Sequence, residues 1–445
     1  MLGWFAAKCP VSTWEKTWTE TRMRWLANVL GIDRLLEAEV IEPTEEYFPD
    51  PYERTPADVR RIMEQLADYM GVDASKIELA ICPDVQLPGA AGLYQPGERK
   101  TIRIAESQVG DMQRIIATLI HELSHEVLMG GGLLNAETED HEPITDLLAA
   151  YLGLGIFAAN STMHEHYWTS GTMTGWEIGK QGYLPARVFG YAFALFCFMR
   201  QEEVPSWVGH LRLDASAPFR EGLRYLKKTG DSLFRPDIIR DMKKVQSVNE
   251  LITQLESGTP SFRLAALWEC KDRGPQAAEA LDAVICCLTD RDPDIPGEAA
   301  RTLAALGPAG ASALPNLQRA LRHELPTARA GAAYALGILG LEAEGIAPEL
   351  AVLLDDKNGT VVSAAAEALS RYGRHDEAVE ERVLGVLSSA LVECDHTLIE
   401  TLIGTLRAVA ADPERSLWKH FNVGDPDLLK LALQVLNEQR KAASN

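Results

Sequence analysis

The feature that most constrains this chain is a repeat with a period of 33 residues in its C-terminal half. The residue columns that keep this spacing are Gly274, Gly307, Gly340 and Gly373; Leu255, Leu288, Leu321, Leu354 and Leu387; and Ala266, Ala299, Ala332 and Ala365. Each unit is predicted to form two helices joined by a turn. The glycine marks the turn, because it readily adopts the left-handed conformation that ends a helix. Units of this kind stack on their neighbours. The repeat therefore predicts an all-α solenoid over residues 247–445.

This pattern of glycine, leucine and alanine columns resembles the short HEAT-like repeats of bacterial proteins. The resemblance implies an α-solenoid whose concave face binds a protein or peptide, either a substrate or a partner. A solenoid that only packs against the rest of its own chain fits the same pattern. The repeat by itself therefore identifies no partner.

The net charge of −21 makes nucleic acid an unexpected partner, because an acidic surface repels phosphate backbones. The most apolar segments, 147–159 and 188–199, are shorter than the ~18–20 residues that a membrane-spanning helix needs, so we expect no membrane partner. The seven cysteines include no C-x-x-C pair, and the first residues do not resemble a secretory signal. We therefore expect a cytoplasmic protein.

Residues 1–55 are predicted to form an N-terminal helical segment followed by a loop. Ser12 and Glu15 have the spacing of a capping box, which predicts a helix over residues 13–30. The residues that share one face of this helix are Trp14, Trp18, Trp25 and Val29. Such an aromatic stripe is typical of a face that docks on the protein's own core.

Residues 56–235 are predicted to form a metal-binding domain with both helices and strands. The segments 76–82 and 100–105 have strand character. Helices are predicted over residues 111–129 and 143–159 from the spacing of their apolar residues. This order of elements predicts an α+β fold for the domain.

Residues 121–125 read His-Glu-Leu-Ser-His. Because helical residues four apart share a face, His121 and His125 can offer imidazole nitrogens to one Zn²⁺ ion. Glu122 can then act as a general base on a water molecule. Burying these polar groups on an apolar helix would be costly without a metal or hydrogen-bond partners. The alternative interpretation is a pair of hydrogen-bonded core histidines.

A catalytic zinc ion needs a third protein ligand. Residues 142–146 read Glu-Pro-Ile-Thr-Asp, and an HExxH motif followed by ExxxD is similar to the gluzincin metallopeptidases. This resemblance implies that Glu142 is the third ligand and that Asp146 orients a ligand histidine. Two alternatives remain: Glu139 is a competing ligand, and Glu142 could be a favourable charge at the helix N-terminus.

The gluzincin resemblance also implies strands, including an edge strand beside the cleft, before the HExxH helix. One departure is Glu126, because gluzincins usually have an uncharged residue after the second ligand histidine. Glu126 is either solvated at the helix end or a perturbation of the site. Tyr183 is a candidate catalytic donor to a developing oxyanion. It could equally be a packed tyrosine at the start of the next helix.

Together these patterns predict an α+β zincin-like N-terminal domain followed by an all-α HEAT-like solenoid, an arrangement similar to that of bacterial HEAT-repeat proteins. The main hypothesis is a zinc-dependent hydrolase of the metallopeptidase type, whose repeats recruit a substrate or partner. The alternative is a non-catalytic zincin-like protein that acts as a protein-binding scaffold. The complete HExxH motif favours the first hypothesis, whereas Glu126 and the unsettled third ligand favour the second.

Overall fold

The structure, a computed structural model, describes residues 7–442 except 98, 139, 162–163, 171–172, 180–182, 238–245, 341–345, 374 and 422–424, and gives the backbone alone for 164–170 and 173–179. The chain divides into two compact units, Met1–Lys244 and Val245–Asn445. Among the described residues, no helix combines the length and the apolar character that a membrane crossing requires.

The first unit is predominantly helical. Its helices are α1 Thr13–Leu30, α2 Asp33–Leu36, α3 Pro56–Met70, α4 Met112–His125, α5 His141–Tyr151, α6 Gly155–Ser161, α7 Ala186–Met199 and α8 Leu213–Thr229. Its small sheet contains β1 Ile77–Cys82, β2 Gly92–Gln95 and β3 Lys100–Ala105. In this sheet β3 is central, parallel to β1 and antiparallel to β2. An antiparallel hairpin pairs β4 His164–Ser170 with β5 Met173–Gly179.

The expected α+β zincin-like class of this unit is wrong. The strands predicted at 76–82 and 100–105 are present, but the sheet has only three strands of four to six residues. Most buried apolar side chains of the unit lie on helices. Local alternation of apolar and polar residues reveals a strand, whereas the contribution of a sheet to the core depends on packing between distant segments. The unit is therefore a helical assembly with a minor sheet.

Helix α1 covers the predicted residues 13–30 but buries only part of the face that was expected. Lys16 and Glu20 are buried and form an ion pair at 3.2 Å. Trp18 of the predicted stripe is buried, but Trp14 is 42% exposed and Val29 is 37% exposed, so only part of the aromatic stripe docks on the core. Apolar periodicity cannot reveal a face whose buried residues include a charged pair.

The single helix predicted over 143–159 is interrupted between α5 and α6. Gly153 has a positive φ of 83°, and a Cβ at this position would lie 2.2 Å from the backbone oxygen of Glu39. The Gly153 carbonyl accepts a hydrogen bond of 3.0 Å from the backbone N–H of Ile41. Glycine therefore allows an earlier segment of the chain to pass close to the break.

The second unit is helical throughout its described residues. Its helices are α9 Val248–Leu255, α10 Pro260–Arg273, α11 Leu281–Cys287, α12 Ile295–Ala305, α13 Pro308–Ala311, α14 Leu314–Ala320, α15 Pro326–Leu339, α16 Ala347–Val352, α17 Gly359–Tyr372, α18 Glu377–Glu393, α19 His396–Val409, α20 Pro413–Phe421 and α21 Pro426–Ala442. The four glycines of the repeat have φ values between 55° and 61°. Gly274, Gly340 and Gly373 directly follow the ends of helices, as the 33-residue pattern predicted, and Gly307 lies between α12 and α13.

Small residues set the spacing between neighbouring repeats. Helices α10, α12, α15, α17 and α19 pack on one another in succession. Where α12 meets α15, a Cβ at Gly331 would lie 2.6 Å from the backbone oxygen of Gly297. The five leucines of the repeat are buried in the core of the unit. The predicted all-helical repeat is therefore confirmed, with Gly297 and Gly331 at a close contact between two of its helices.

We predict that Gly331→Ala destabilises the repeat unit by about 1–3 kcal/mol, because the added methyl group must push two helix backbones apart. The matched control is Gly385→Ala in α18, where a new Cβ meets nothing within 4 Å. This change should stabilise the unit by roughly 0.5–1 kcal/mol, because alanine favours a helix interior over glycine. Urea unfolding followed by circular dichroism measures both changes. Equal stability of the two variants would contradict the close contact.

Candidate metal centre

Helix α4 places His121 and His125 side by side. The helix begins at Asp111, whose side chain caps the backbone N–H groups of Gln113 and Arg114. Buried apolar residues then hold the helix in the core of the unit. The two histidine rings lie one helical turn apart, with centroids separated by 4.8 Å. The spacing of the motif therefore produces the adjacent pair that it predicted.

Helix α5 brings Glu142 to the same point. Its Oε2 atom lies 3.1 Å from Nε2 of His121 and 3.4 Å from Nε2 of His125. The ligand atoms of the three residues all lie within 4.8 Å of one another. Glu142 lies in the first turn of α5, and it also faces the two histidines. The competing ligand Glu139 lies outside the described residues.

Asp146 holds the ring of His121 from behind. Its Oδ1 atom lies 2.9 Å from Nδ1 of His121, and its Oδ2 atom accepts the backbone N–H groups of Tyr183 at 2.7 Å and Leu184 at 3.0 Å. Because a carboxylate accepts hydrogen bonds, Nδ1 of His121 carries a proton. When His121 is neutral and its proton is on Nδ1, the lone pair lies on Nε2, the atom that faces Glu142.

Thr145 lies behind the ring of His125, as Asp146 lies behind that of His121. The Thr145 hydroxyl donates to the carbonyl oxygen of His141 at 2.8 Å, and its oxygen lies 3.4 Å from Nδ1 of His125. The oxygen can therefore accept the Nδ1 proton of His125. Both histidines consequently present Nε2 to the centre. Sequence reasoning missed Thr145, although its position one helical turn after Glu142 was a usable signal.

The charges of the site fit a divalent cation. Burial opposes protonation of His121, but Asp146 and Glu142 beside its ring raise its pKa to about 10. Burial also works against ionisation of Glu142, but its hydrogen bonds with the two histidines lower its pKa well below the ordinary value. The carboxylates thus favour a positive charge at this point. A metal ion would replace the proton, and the nitrogen and oxygen donors are of the kind that zinc binds.

Glu122 lies beside the three candidate ligands. It is buried, and burial raises the pKa of its carboxyl group. The backbone N–H of Tyr94 in β2 donates a hydrogen bond to it. A Cβ at Gly92 would lie 2.5 Å from Oε1 of Glu122, so the glycine leaves room for the carboxylate. Strand β2 therefore fixes a carboxylate that is separate from the ligand group.

Glu126 is directed towards the strands. Helix α4 ends at His125 and is followed by a π-helical turn over Glu126–Gly130. Glu126 accepts a hydrogen bond of 2.5 Å from the hydroxyl of Tyr94 and forms an ion pair with Lys100. Its side chain is only 13% exposed, so it is not a solvated residue at the helix end. The cation of Lys100 balances its charge.

Tyr183 packs directly on a candidate ligand. Its ring stacks on that of His121, with a centroid separation of 5.8 Å. The side chain is 54% exposed. Partial burial raises the pKa of its phenol, so the hydroxyl keeps its proton at neutral pH. The catalytic role of Tyr183 stays a prediction, whereas its packing role is visible in the stacked rings.

A third histidine, His141, lies beside the candidate ligands. His141 has Nε2 at 3.3 Å from Oε1 of Glu142, the carboxylate oxygen turned away from the closest ligand contacts. Its Nδ1 atom lies 2.8 Å from the carbonyl oxygen of Thr138. His141 therefore contacts the third candidate ligand while the turn before α5 holds its ring.

The comparisons with known proteins concern the repeats. A family profile described as HEAT repeats matches residues 248–337 and 287–369, so the second unit contains HEAT repeats. A search of curated proteins found no match. These family matches lie outside the candidate metal centre.

Solved structures with some likeness include an engineered protein with 18% identity and a TM-score of 0.33, matched over 43% of this chain and 98% of its own. Another engineered protein has 14% identity and a TM-score of 0.32, over 95% and 98% of the two chains. Kap121p has 15% identity and a TM-score of 0.32, over 73% of this chain and 35% of Kap121p. Likenesses this slight carry no functional argument.

We predict that the purified protein binds close to one Zn²⁺ ion per chain, because the three ligand atoms converge on one point. His121→Ala and His125→Ala should each abolish this binding. Metal analysis by mass spectrometry after dialysis against dilute zinc measures the stoichiometry. Retention of one zinc ion by the double alanine variant would contradict the site.

We predict that Glu142→Ala weakens zinc binding far more than Glu139→Ala, because the Glu142 carboxylate places an oxygen next to both histidines. Asp146→Asn should lower the affinity by roughly 10–100-fold, as changes behind a ligand histidine do. Competition with a chromophoric chelator measures all three constants. A larger loss with Glu139→Ala would show that the third ligand is wrongly assigned.

Proposed function

We propose that the first unit binds one Zn²⁺ ion through His121, His125 and Glu142 and acts as a zinc-dependent hydrolase of the metallopeptidase type. The observation that supports this proposal is the convergence of two imidazoles and a carboxylate with Glu122 beside them. The order of HExxH and ExxxD resembles that of the gluzincins. This resemblance concerns the site residues and not the fold of the unit.

A zinc ion in such a site supplies a Lewis acid that polarises a substrate carbonyl and makes a water molecule more acidic. The chain's own residues would perform the other tasks. Glu122, held by the N–H of Tyr94, would accept the proton of the water and deliver it to the leaving amine. Asp146 would keep His121 in the orientation that directs Nε2 to the centre. The protonated hydroxyl of Tyr183 would donate to the substrate oxygen as it gains negative charge.

The number of ligands also supports a catalytic centre. Structural zinc sites are usually closed by four protein ligands, whereas catalytic sites have three and keep one position open. Among the described residues, three donors converge at this point. The nearby Glu126 is engaged with Tyr94 and Lys100 and does not add a fourth donor.

The HEAT repeats would recruit a protein or peptide, either as the substrate or as a partner. Stacked helical repeats form extended surfaces on which such ligands bind. The acidic net charge of −21 makes nucleic acid a poor ligand for this chain. Recruitment by one unit and hydrolysis by the other would divide binding and chemistry between the two parts of the chain.

The second candidate function is a non-catalytic protein-binding scaffold that works through its HEAT repeats. The family match favours this candidate, because it covers the repeats and includes none of the site residues. In that case a bound metal would only stabilise the first unit. The two candidates differ in whether Glu122 has a chemical role.

We predict that Glu122→Gln keeps the zinc ion and the melting temperature but lowers peptide hydrolysis by about 10²–10⁴-fold, the usual contribution of a general base. Glu137→Gln, a matched change at an exposed residue, should leave hydrolysis intact. The zinc-loaded proteins are incubated with a diverse peptide library, and products are quantified by mass spectrometry. An inactive wild type with one zinc ion bound would favour the scaffold, and equal rates for wild type and Glu122→Gln would exclude Glu122 as the base.

A further inference from the structure

A contact between α1 and the residue before α5 lies outside every motif of the sequence. The Oδ2 atom of Asp140 accepts hydrogen bonds from Nε1 of Trp18 at 2.8 Å and from Nε of Arg22 at 2.7 Å. Trp18 and Arg22 are one helical turn apart, so both point to the same side of α1. The bonds to a charged acceptor are of the stronger kind. This contact ties α1 to the start of the helix that carries Glu142.

The side chain of Asp140 bonds to α1 and does not cap the N-terminus of α5. Asp140 is the residue that precedes α5. An aspartate at this position ordinarily accepts a backbone N–H from the first turn and thereby stabilises the helix. Here the carboxylate is turned towards α1 instead. The geometry therefore favours a link between helices over local capping.

Helix α1 is firmly anchored on its buried side. The ion pair between Lys16 and Glu20 is buried. Glu20 also accepts the hydroxyl of Tyr191 at 2.6 Å and the backbone N–H of Leu233 at 2.8 Å. A shift of α1 would break these bonds and leave the carboxylate of Glu20 buried without partners, which would strongly destabilise the fold. Helix α1 therefore has little freedom to move. The helix is thus a rigid base for the contact with Asp140.

The same helix also supports the segment behind His121. Glu15 in the first turn of α1 forms an ion pair of 2.5 Å with Arg187 in the first turn of α7. Arg187 lies three residues after Leu184, whose N–H is one of the donors to Asp146. Helix α1 therefore contacts the residue before α5, the helix that carries Glu142, and the first turn of α7, which follows Leu184 closely in the sequence.

We propose that α1 is a positioning element of the candidate metal centre, in which Trp18 and Arg22 hold Asp140 and thereby set the place of Glu142 opposite the two histidines. This inference rests on the proposed metal site and extends it to residues far outside the HExxH and ExxxD motifs. The physical reason is preorganisation: a ligand on a fixed helix start loses less conformational freedom when a metal binds than one on a mobile turn.

The test uses full-length protein and two probes, Zn²⁺ and Co²⁺. The Trp18→Phe/Arg22→Met variant removes both donors and should lower zinc affinity by about 10–100-fold, as changes behind metal ligands do. Its Co²⁺ complex should show an altered visible absorption spectrum, because the position of Glu142 changes. Arg22→Lys with Trp18 intact keeps a cation at this place and should retain most of the affinity. The matched control is Trp25→Phe, at a residue on α1 that gives Asp140 no hydrogen bond.

Asp140→Ala removes the same contact without changing a residue of α1. Loss of affinity in this variant and in the double variant, but not in Trp25→Phe, supports the proposal. Wild-type affinity and an unchanged Co²⁺ spectrum in both would overturn the role of α1 and leave the metal centre standing. An equal loss in Trp25→Phe would also overturn it. Absence of zinc binding by the wild type would instead refute the metal centre itself, and the positioning role with it.

Discussion

The buried carboxylate of Asp146 is the group on which the candidate centre depends. It is only 5% exposed, and it contacts Nδ1 of His121 as well as the backbone N–H groups of Tyr183 and Leu184. A carboxylate in such a place is tolerated only when donors surround it. Helices α4 and α5 and the segment before α7 must therefore meet in one arrangement. That arrangement directs Nε2 of His121 towards Glu142. The hydrogen bonds that the buried charge of Asp146 requires therefore also place two candidate ligands next to each other.

The parts of the site that depend on local geometry could be predicted from the sequence. Residues four apart on a helix must share a face, so the pairing of His121 with His125 followed from spacing alone. The proximity of Glu142 could be expected only through a family resemblance, because it depends on how α5 packs against α4. Similarly, the 33-residue repeat revealed the helical units directly, since each unit packs mainly on its neighbours.

Features that depend on distant contacts could not be predicted in this way. The α+β class was wrong because two recognisable strands say nothing about how much of the core helices will occupy. The docking face predicted for α1 was only partly right, because Lys16 and Glu20 pair inside the unit, where a pattern of apolar residues gives no signal. The bond between Trp18 and Asp140 joins residues 122 positions apart. Such contacts become visible only in three dimensions, and they include those that hold the third candidate ligand.

The contact between Glu20 and the backbone of Leu233 has a consequence for the synthesis of the chain. Because Leu233 follows Glu20 by 213 residues, α1 cannot make this contact during synthesis until the segment that contains Leu233 has emerged. The candidate ligands lie between these two segments in the sequence, so they are synthesised before α1 is fully anchored.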